Sequence, residues 1–392
     1  MRGHIVKRAR NSYSIVFDSG KDPATGRRKQ HWASIIGSKK DAEKKLAELL
    51  HQLDNGTYIK PDKITLAEFL ERWLRDYVKP NLAPRSTEGY ESVVRCQLIP
   101  SLGKMVLTQL KPEHIQRYYS EKLTNGRFNG KGGLNPKTVR NHHMVLHRAL
   151  EIATKWGLIT HNPADAIDPP RCQRKEINTL NEHDLNSFLE SAKKTPYYAL
   201  FYIALFTGMR RSEILALKWS DVDLMLEQIS VNRTMHHLRD GSIIFRPPKT
   251  EKGRRLVSLS PSTTLVLKEY HQMQEAICLM LGRTLKDDDL VFAQIDGQPL
   301  LPGTVSHAWM NLAKRLDMGK IRLHDARHTH ASLMLKQGVH PKIVQERLGH
   351  ASIQLTLDTY SHVAPGLQEA AAQAFDYVLS ISKKKEPIKK IR

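Results

Sequence analysis

Residues 321–363 read IRLHDARHTHASLMLKQGVHPKIVQERLGHASIQLTLDTYSHV. From His328 onward, Ala331, Leu333, Met334 and Leu335 mark a mostly apolar helix, with Gly338 as its terminator. Pro341 suits the first turn of a second helix and Gly349 its end, and Ser352 is placed to start a further short helix. His324 and Arg327 then stand at one helix entrance, His350 just past the next helix exit, and Tyr360 in the third segment. A helix entrance offers free N–H groups and an arginine offers a planar fork, so the set suits one small anion such as a DNA phosphate. A lone His or Tyr at a helix end is more often a packing or capping residue than a catalyst, and this stretch alone leaves both roles open.

H-x-x-R at His324–Arg327, L-G-H at Leu348–His350 and the tyrosine of LDTYSHV resemble the tyrosine recombinases, in particular the integrases of phages and integrative elements. That family also carries an arginine in a T-G-x-R-x-S-E segment and a lysine in an upstream β-hairpin. TGMRRSEILAL at Thr207–Leu217 and PPKTEKGRRLVSL at Pro247–Leu259 supply both, in the family's order. The resemblance covers nearly the whole chain. It implies a multidomain α+β fold: a small β-sheet-plus-helix arm-binding domain, a four-helix core-binding domain, and a mostly α catalytic domain with a small antiparallel sheet.

The resemblance also implies a site-specific DNA recombinase of a mobile element, acting through a 3′-phosphotyrosine intermediate and a Holliday junction. Its catalytic set here is Arg210, Lys249, His324, Arg327, His350 and, as nucleophile, Tyr360. Arg210 holds the motif position, with Arg211 beside it pointing elsewhere on a helix; only the motif promotes Lys249 above Lys252. Cleaving a phosphodiester without a metal needs a nucleophile, neutralisation of the phosphorane and a proton for the departing 5′-oxygen. Tyr360 supplies the first, and with an ordinary pKa near 10 it needs a nearby base or a positive field. Arg210 and Arg327 suit the non-bridging oxygens. His324 and His350 share proton handling at the tyrosine with hydrogen bonding to the phosphate, and Lys249 protonates the leaving oxygen. The implied partners are double-stranded DNA at core and arm sites, a homotetramer on DNA, a host DNA-bending protein and an excision factor. No metal, ATP or other cofactor is implied.

Composition points the same way. The 392 residues carry 61 Lys+Arg against 40 Asp+Glu, a formal net charge of +21, which self-repels unless a polyanion is the usual partner. Charge alone also fits a nonspecific polyanion binder or a merely basic soluble protein. Three scattered cysteines, Cys96, Cys172 and Cys278, suggest a reducing compartment without a disulfide framework or zinc cluster. MRGHIVKRAR has no apolar signal-like core and no run reaches the length of a membrane span, so a cytoplasmic, nucleoid-associated protein is expected.

Taken in order, residues 1–60 read as the arm-type DNA-binding domain. Tyr13, Ile15 and Phe17 alternate as in a half-buried strand, Asp18–Gly26 reads as a turn, and RRKQHWASI as another strand. Ser38 with Asp41 forms a capping box for a helix whose inner stripe is Ala42, Leu46, Leu49 and Leu53. Arg27, Arg28, Lys29 and Gln30 are the candidate groove readers, against the alternative of solvated edge-strand charges. Residues 64–167 read as the helical core-binding domain, with helices from Leu66, from Ser86, at Pro112 and after Asn135-Pro136. Lys111, Arg117, Lys137, Arg140 and Arg148 are candidate backbone contacts there, each one individually more at home on a solvated face. Residues 168–178 read as a linker and hinge, 179–382 as the catalytic domain with a C-terminal amphipathic helix, and 383–392 as a basic tail. In the catalytic domain, segments around Ile229 and Ile243 and then RRLVSL suggest one small antiparallel sheet, and the acidic DDD at 287–289 a solvated turn.

Three other functions compete. A noncatalytic DNA-binding regulator with the same fold, or a topoisomerase-like relaxation activity, would keep these residues; a trapped covalent adduct separates the first. A metal-dependent nuclease is prompted by His324 and His328 at i, i+4 with Asp325 nearby, yet no H-E-x-x-H occurs.

Overall fold

The computed structural model of the protein describes residues 3–21, 26, 28–55, 63–173 and 178–360. The chain divides into two compact units, Met1–Arg174 and Lys175–Arg392. The first begins with strands β1 (Gly3–Ala9), β2 (Ser12–Lys21) and β3 (Arg28–Ile36), antiparallel in that spatial order. Ile5 and Ala33 both pair with Ile15, so the central strand's apolar face is shared. The helix Lys39–Asp54 covers that face, and Leu49 joins Ile15 and Phe17 in a small core. Ser38 accepts from the Asp41 N–H while Asp41 accepts from the Ser38 N–H at 2.8 Å, the expected capping box. The turn expected from Asp18 starts later, because a register shift between Asp18 and Lys21 lets β2 keep pairing as far as Arg28.

Next come helices Leu66–Trp73, Pro84–Val93, Pro112–Asn125 and Pro136–Lys155 around a core that includes Phe69, Trp73, Tyr118, Tyr119, Leu146 and Leu150. The second of these starts at Pro84 rather than Ser86, since a proline ring presets the first helical turn. The first two continue through wide turns, Leu74–Val78 and Val94–Leu98, in which the Lys79 N–H reaches the Leu74 carbonyl and the Ile99 N–H the Val94 carbonyl. Each wide turn precedes a proline, Pro80 or Pro100, which has no N–H to give and whose ring crowds the carbonyl four residues back.

The second unit is mostly helical: Glu182–Ala192, Tyr198–Thr207, Pro261–Met280, Pro302–Arg315, Leu323–Lys336, Pro341–Leu348 and Ile353–Tyr360. The expected single sheet is two. β4 (Val222–Asp223), β5 (Gln228–Val231) and β8 (Arg255–Ser258) form one, while β6 (Thr234–His237) and β7 (Ile243–Arg246) pair only with each other. Between β5 and β6, Asn232 and Arg233 are drawn onto Asp221 at 3.0 and 2.6 Å, which turns the chain out of the first sheet. The helix expected from His328 already begins at Leu323, because the Asp325 carboxylate accepts the Arg322 N–H at 2.8 Å and caps it there. The acidic turn is a surface feature, with exposed Asp288 on Lys218 at 2.9 Å. Among the described residues no helix is long and apolar enough to cross a membrane. The C-terminal helix and basic tail read at 361–392 lie outside the described residues.

Candidate active site

The buried helix Tyr198–Thr207 ends at Gly208 in left-handed backbone, φ +64. A Cβ there would lie 2.7 Å from Leu348 Cδ2 and 2.8 Å from the His330 ring, so only glycine fits. The Gly208 carbonyl accepts from Arg327 Nη1 at 2.8 Å, and Arg327 Nη2 donates to the Leu348 carbonyl at 2.6 Å. Gly349, also left-handed at φ +66, caps the helix Pro341–Leu348, and its carbonyl accepts from Arg210 Nη2 at 3.2 Å. Each arginine is thus aimed by a turn belonging to another of the sequence motifs.

One carboxylate holds the centre. Glu213, 2 % exposed, accepts from Arg210 Nη1 at 2.7 Å and from Arg255 Nη2 at 2.9 Å. Burial by itself raises its pKa, but the hydrogen bond and charge of Arg255, with Arg210, outweigh this and hold it below the ordinary glutamate value. Arg327, 3 % exposed, hydrogen-bonds carbonyls rather than a carboxylate; burial and then the Arg210 charge pull its pKa down to about 9, which leaves it charged at neutral pH. Three guanidiniums lie around one buried carboxylate that bonds only two of them, so the cluster carries an uncompensated positive charge suited to an anion. Arg255 was not singled out from the sequence. Its signal was available: in β8 it shares the inward face with Val257, a charged residue in phase with a buried one.

Tyr360 ends the helix Ile353–Tyr360, 1 % exposed, against Ala331, Leu335, Val344 and Leu348. Its hydroxyl lies 2.8 Å from His328 Nδ1, so the histidine in contact with the tyrosine is neither His324 nor His350. Burial pushes the phenol up to about 12, with Arg327 opposing. The same burial lowers His328, with Arg327 and Arg322 adding to it and Asp325 opposing. Both groups are therefore neutral at rest, and in the tautomer that carries its proton on Nε2 the imidazole accepts the phenol O–H at Nδ1.

His350 is buried beside the arginines, its Nδ1 2.9 Å from Thr356 Oγ1, and burial, then Arg327 and Arg210, pull it down to about 3. His324 stands exposed at the surface, its ring edge-on to His328 at 5.1 Å; the surrounding protein and the positive neighbours His328 and Arg327 disfavour its protonation. Lys249 is exposed in the β7–β8 connection, with no hydrogen-bond partner among the described residues. Lys252 instead reaches the Ala351 carbonyl, next to His350, at 2.8 Å. Arg211 turns away to Ser306 Oγ at 2.6 Å and the Pro302 carbonyl at 3.2 Å. Arg347 and His330 brace the cluster: Arg347 Nε donates to His330 Nε2 at 3.0 Å, which leaves His330 Nδ1–H for the Leu205 carbonyl at 2.9 Å. The Asp325 carboxylate is engaged by Arg322 at 2.8 Å, and among the described residues no three His, Cys, Asp or Glu side chains converge as a metal-holding group.

A surface cavity of about 480 Å³ opens beside the cluster, lined by Arg210, Arg211, Ser212, Ser306, Arg322 and His324 among others. A larger one of about 1010 Å³, walled by Tyr197, Tyr198, Tyr270, Met273 and Ile295, shares no lining residue with the motifs, and chemistry rather than size selects the first. Of the candidate DNA contacts, Gln30, Lys111, Arg117, Lys137 and Arg140 are exposed, and Lys111 lies 3.9 Å from Glu113. Arg148 is half-buried, committed to Glu151 at 2.7 Å and to the Tyr77 hydroxyl. Arg27 and the side chains of Arg28 and Lys29 lie outside the described residues.

Residues 171–366 match the phage integrase family and residues 65–123 the phage integrase N-terminal SAM-like domain. The chain is similar to a tyrosine recombinase XerC-like protein of Caldanaerobacter subterraneus subsp. tengcongensis, 27 % identical over 95 % of this chain and 98 % of the other. It is similar to the ICEBs1 integrase of Bacillus subtilis, 26 % identical over 95 % of this chain and 100 % of the other. Its fold is like that of the Tn1549 transposon integrase solved with a circular-intermediate DNA, TM-score 0.65 at 20 % identity over 80 % of this chain and 99 % of that one. It is also like that of a lambda integrase dimer bound to a core site, TM-score 0.57 at 18 % identity over 99 % and 97 %.

Proposed function

The chain belongs to the phage integrase family and is a site-specific tyrosine recombinase of the mobile-element integrase type; from that premise we propose how its own residues divide the work. Tyr360 attacks the scissile phosphate, forming a 3′-phosphotyrosine and releasing a 5′-hydroxyl. Arg210 and Arg327 hold the two non-bridging oxygens. The observation that carries this is the uncompensated charge of Arg210, Arg255 and Arg327 around Glu213, with buried Tyr360 close enough for Arg327 to bias its ionisation. Neutral His350, its Nδ1 engaged by Thr356, offers its other nitrogen to the phosphate, and His324 does so from the surface side. Lys249 delivers the proton to the leaving 5′-oxygen. The phosphotyrosine conserves the bond energy, so a 5′-hydroxyl of another strand can attack it and reseal.

The substrate is double-stranded DNA, bound at core sites by the helical block and at arm sites by the N-terminal sheet. Strand exchange proceeds in a homotetramer through a Holliday junction, in the cytoplasm on nucleoid DNA, with a host DNA-bending protein and an excision factor setting direction. Incubation of wild type and Tyr360→Phe with a nicked suicide duplex carrying the junction of the element's own ends, in EDTA, followed by a denaturing gel, tests the core of this. A shifted covalent band from wild type alone is expected; a band from Tyr360→Phe sinks the assignment. Tight binding of the same duplex without a band from either protein favours a noncatalytic regulator.

A further inference from the structure

The contact at the tyrosine hydroxyl is made by a histidine outside the six residues assigned above. His328 projects from the helix Leu323–Lys336, half-buried, with Nδ1 2.8 Å from Tyr360 Oη and the two rings 5.7 Å apart. We propose that His328 is a further catalytic residue of this chain, the group that takes the Tyr360 proton when the phenol oxygen attacks phosphorus. This rests on the assignment of Tyr360 as nucleophile.

In the cleavage step the Oη–P bond forms and the P–O5′ bond breaks. The phenol proton passes to His328 Nδ1, and the P–O5′ electron pair goes to O5′, which is protonated by Lys249. Resealing returns the proton from the imidazolium to the phenol. The neutral imidazole needed at the start is favoured by burial, and the buried phenol does not ionise unaided. The imidazolium formed is flanked on its own helix by the Asp325 carboxylate, which favours it, and by Arg322, His324 and Arg327, which oppose it. From the other segments packed against it come Tyr360 itself and His350. An incoming phosphate adds the negative charge that tips this balance toward proton uptake. His350 is a poorer candidate for the role because its Nδ1 is already engaged by Thr356.

The test compares wild type, His328→Ala and His328→Gln on the same suicide duplex; the glutamine can accept the hydrogen bond but cannot carry the proton. Adduct formation is expected to slow about 100-fold or more in both variants with duplex affinity unchanged, the range general-base loss produces. The wild-type rate should fall as pH drops and the imidazole is protonated, and that acid limb should vanish in both variants. A duplex with sulfur at the bridging 5′ position, whose leaving group needs no proton, should restore Lys249→Ala and leave the His328 variants slow. Restoration of His328→Gln to near wild-type rate would reduce His328 to a hydrogen-bond anchor and overturn the proposal, as would rescue of both His328 variants by the sulfur duplex. Loss of duplex binding in His328→Gln assigns the residue to the fold and overturns it too. A wild type that forms no adduct takes down the nucleophile assignment first, so the two failures are told apart.

Discussion

Three guanidiniums around one carboxylate make the cluster expensive to disturb at any single residue. Removing one partner from a buried ion pair leaves a charge uncompensated, at a cost of about 3–5 kcal/mol. Arg255→Ala takes away the more buried of Glu213's two bonded partners, 7 % exposed at the side chain against 37 % for Arg210, and leaves Arg210 as the other, so the cost falls toward the lower end of that range. Chemical denaturation should show a loss of this size, larger than for truncating the exposed pair Lys193–Glu190. Gly208→Ala forces an L-residue into φ +64 and sets its methyl against Leu348 and His330. A drop in melting temperature is expected, with DNA cleavage falling further than stability because the Gly208 carbonyl aims Arg327. Arg327→Lys cannot span the Gly208 and Leu348 carbonyls with one ammonium; the rate of adduct formation should fall about 100-fold or more, measured at saturating DNA, as for loss of a preorganised transition-state donor.

At the scale of elements, the helices Pro112–Asn125 and Pro136–Lys155 are joined by two parallel buried pairs. Tyr118 Oη lies 2.9 Å from His142 Nδ1 and Tyr119 Oη 2.8 Å from His143 Nδ1. Burial, then the Lys122 charge, lowers His142 to about 4. The unfolded chain takes up this proton near the ordinary histidine value of 6.5 and the folded chain only near 4, so the unfolded state binds more protons between those values. Stability contributed by the neutral histidine is therefore present above pH about 6.5 and is lost progressively as pH falls toward about 4, on the order of 3 kcal/mol in all. Thermal melts from pH 7 to pH 4.5 should show the decline, and His142→Gln should flatten it. An unchanged slope in that variant would place the acid sensitivity elsewhere, His330 and His350 being the next groups held neutral by burial.

For the whole molecule the governing quantity is the net charge of +21. Binding that releases counterions weakens with salt, and each phosphate contact removed lowers the slope of log K against log salt by about 1. Arg117, Lys137 and Arg140 are exposed on the helical block. Replacing all three by alanine should reduce the slope by about 3 if each meets a phosphate; a slope unchanged within error returns them to a solvated face. Arg148 belongs in a different experiment: committed to Glu151 and Tyr77, its replacement should cost stability before it costs affinity.

The order of elements and the family were legible in the chain because they depend on local signals. The capping box at Ser38, the prolines opening helices, the glycines ending them and the apolar run before Gly208 each act within a few residues of themselves. The left-handed backbone of the two glycines in the T-G and L-G-H motifs is also a local demand, whereas the absence of room for a Cβ is tertiary, set by Leu348 and His330 at Gly208 and by Lys252 and Arg255 at Gly349. What tertiary structure alone decided is which side chains meet. Arg327 bonds a carbonyl 119 residues away, Arg255 bridges to Glu213 over 42 residues, and Tyr360 selects His328 over 32. Spacing along the chain could raise His324 and His328 as neighbours on one helix face, but which of them meets a phenol from another helix is set by packing. The same holds for the split of the small sheet, where Asp221 draws Asn232 and Arg233 out of line. Periodicity reports which face of a segment is buried; the partner across that face is chosen by close packing and by the cost of leaving a buried charge or polar atom unmatched.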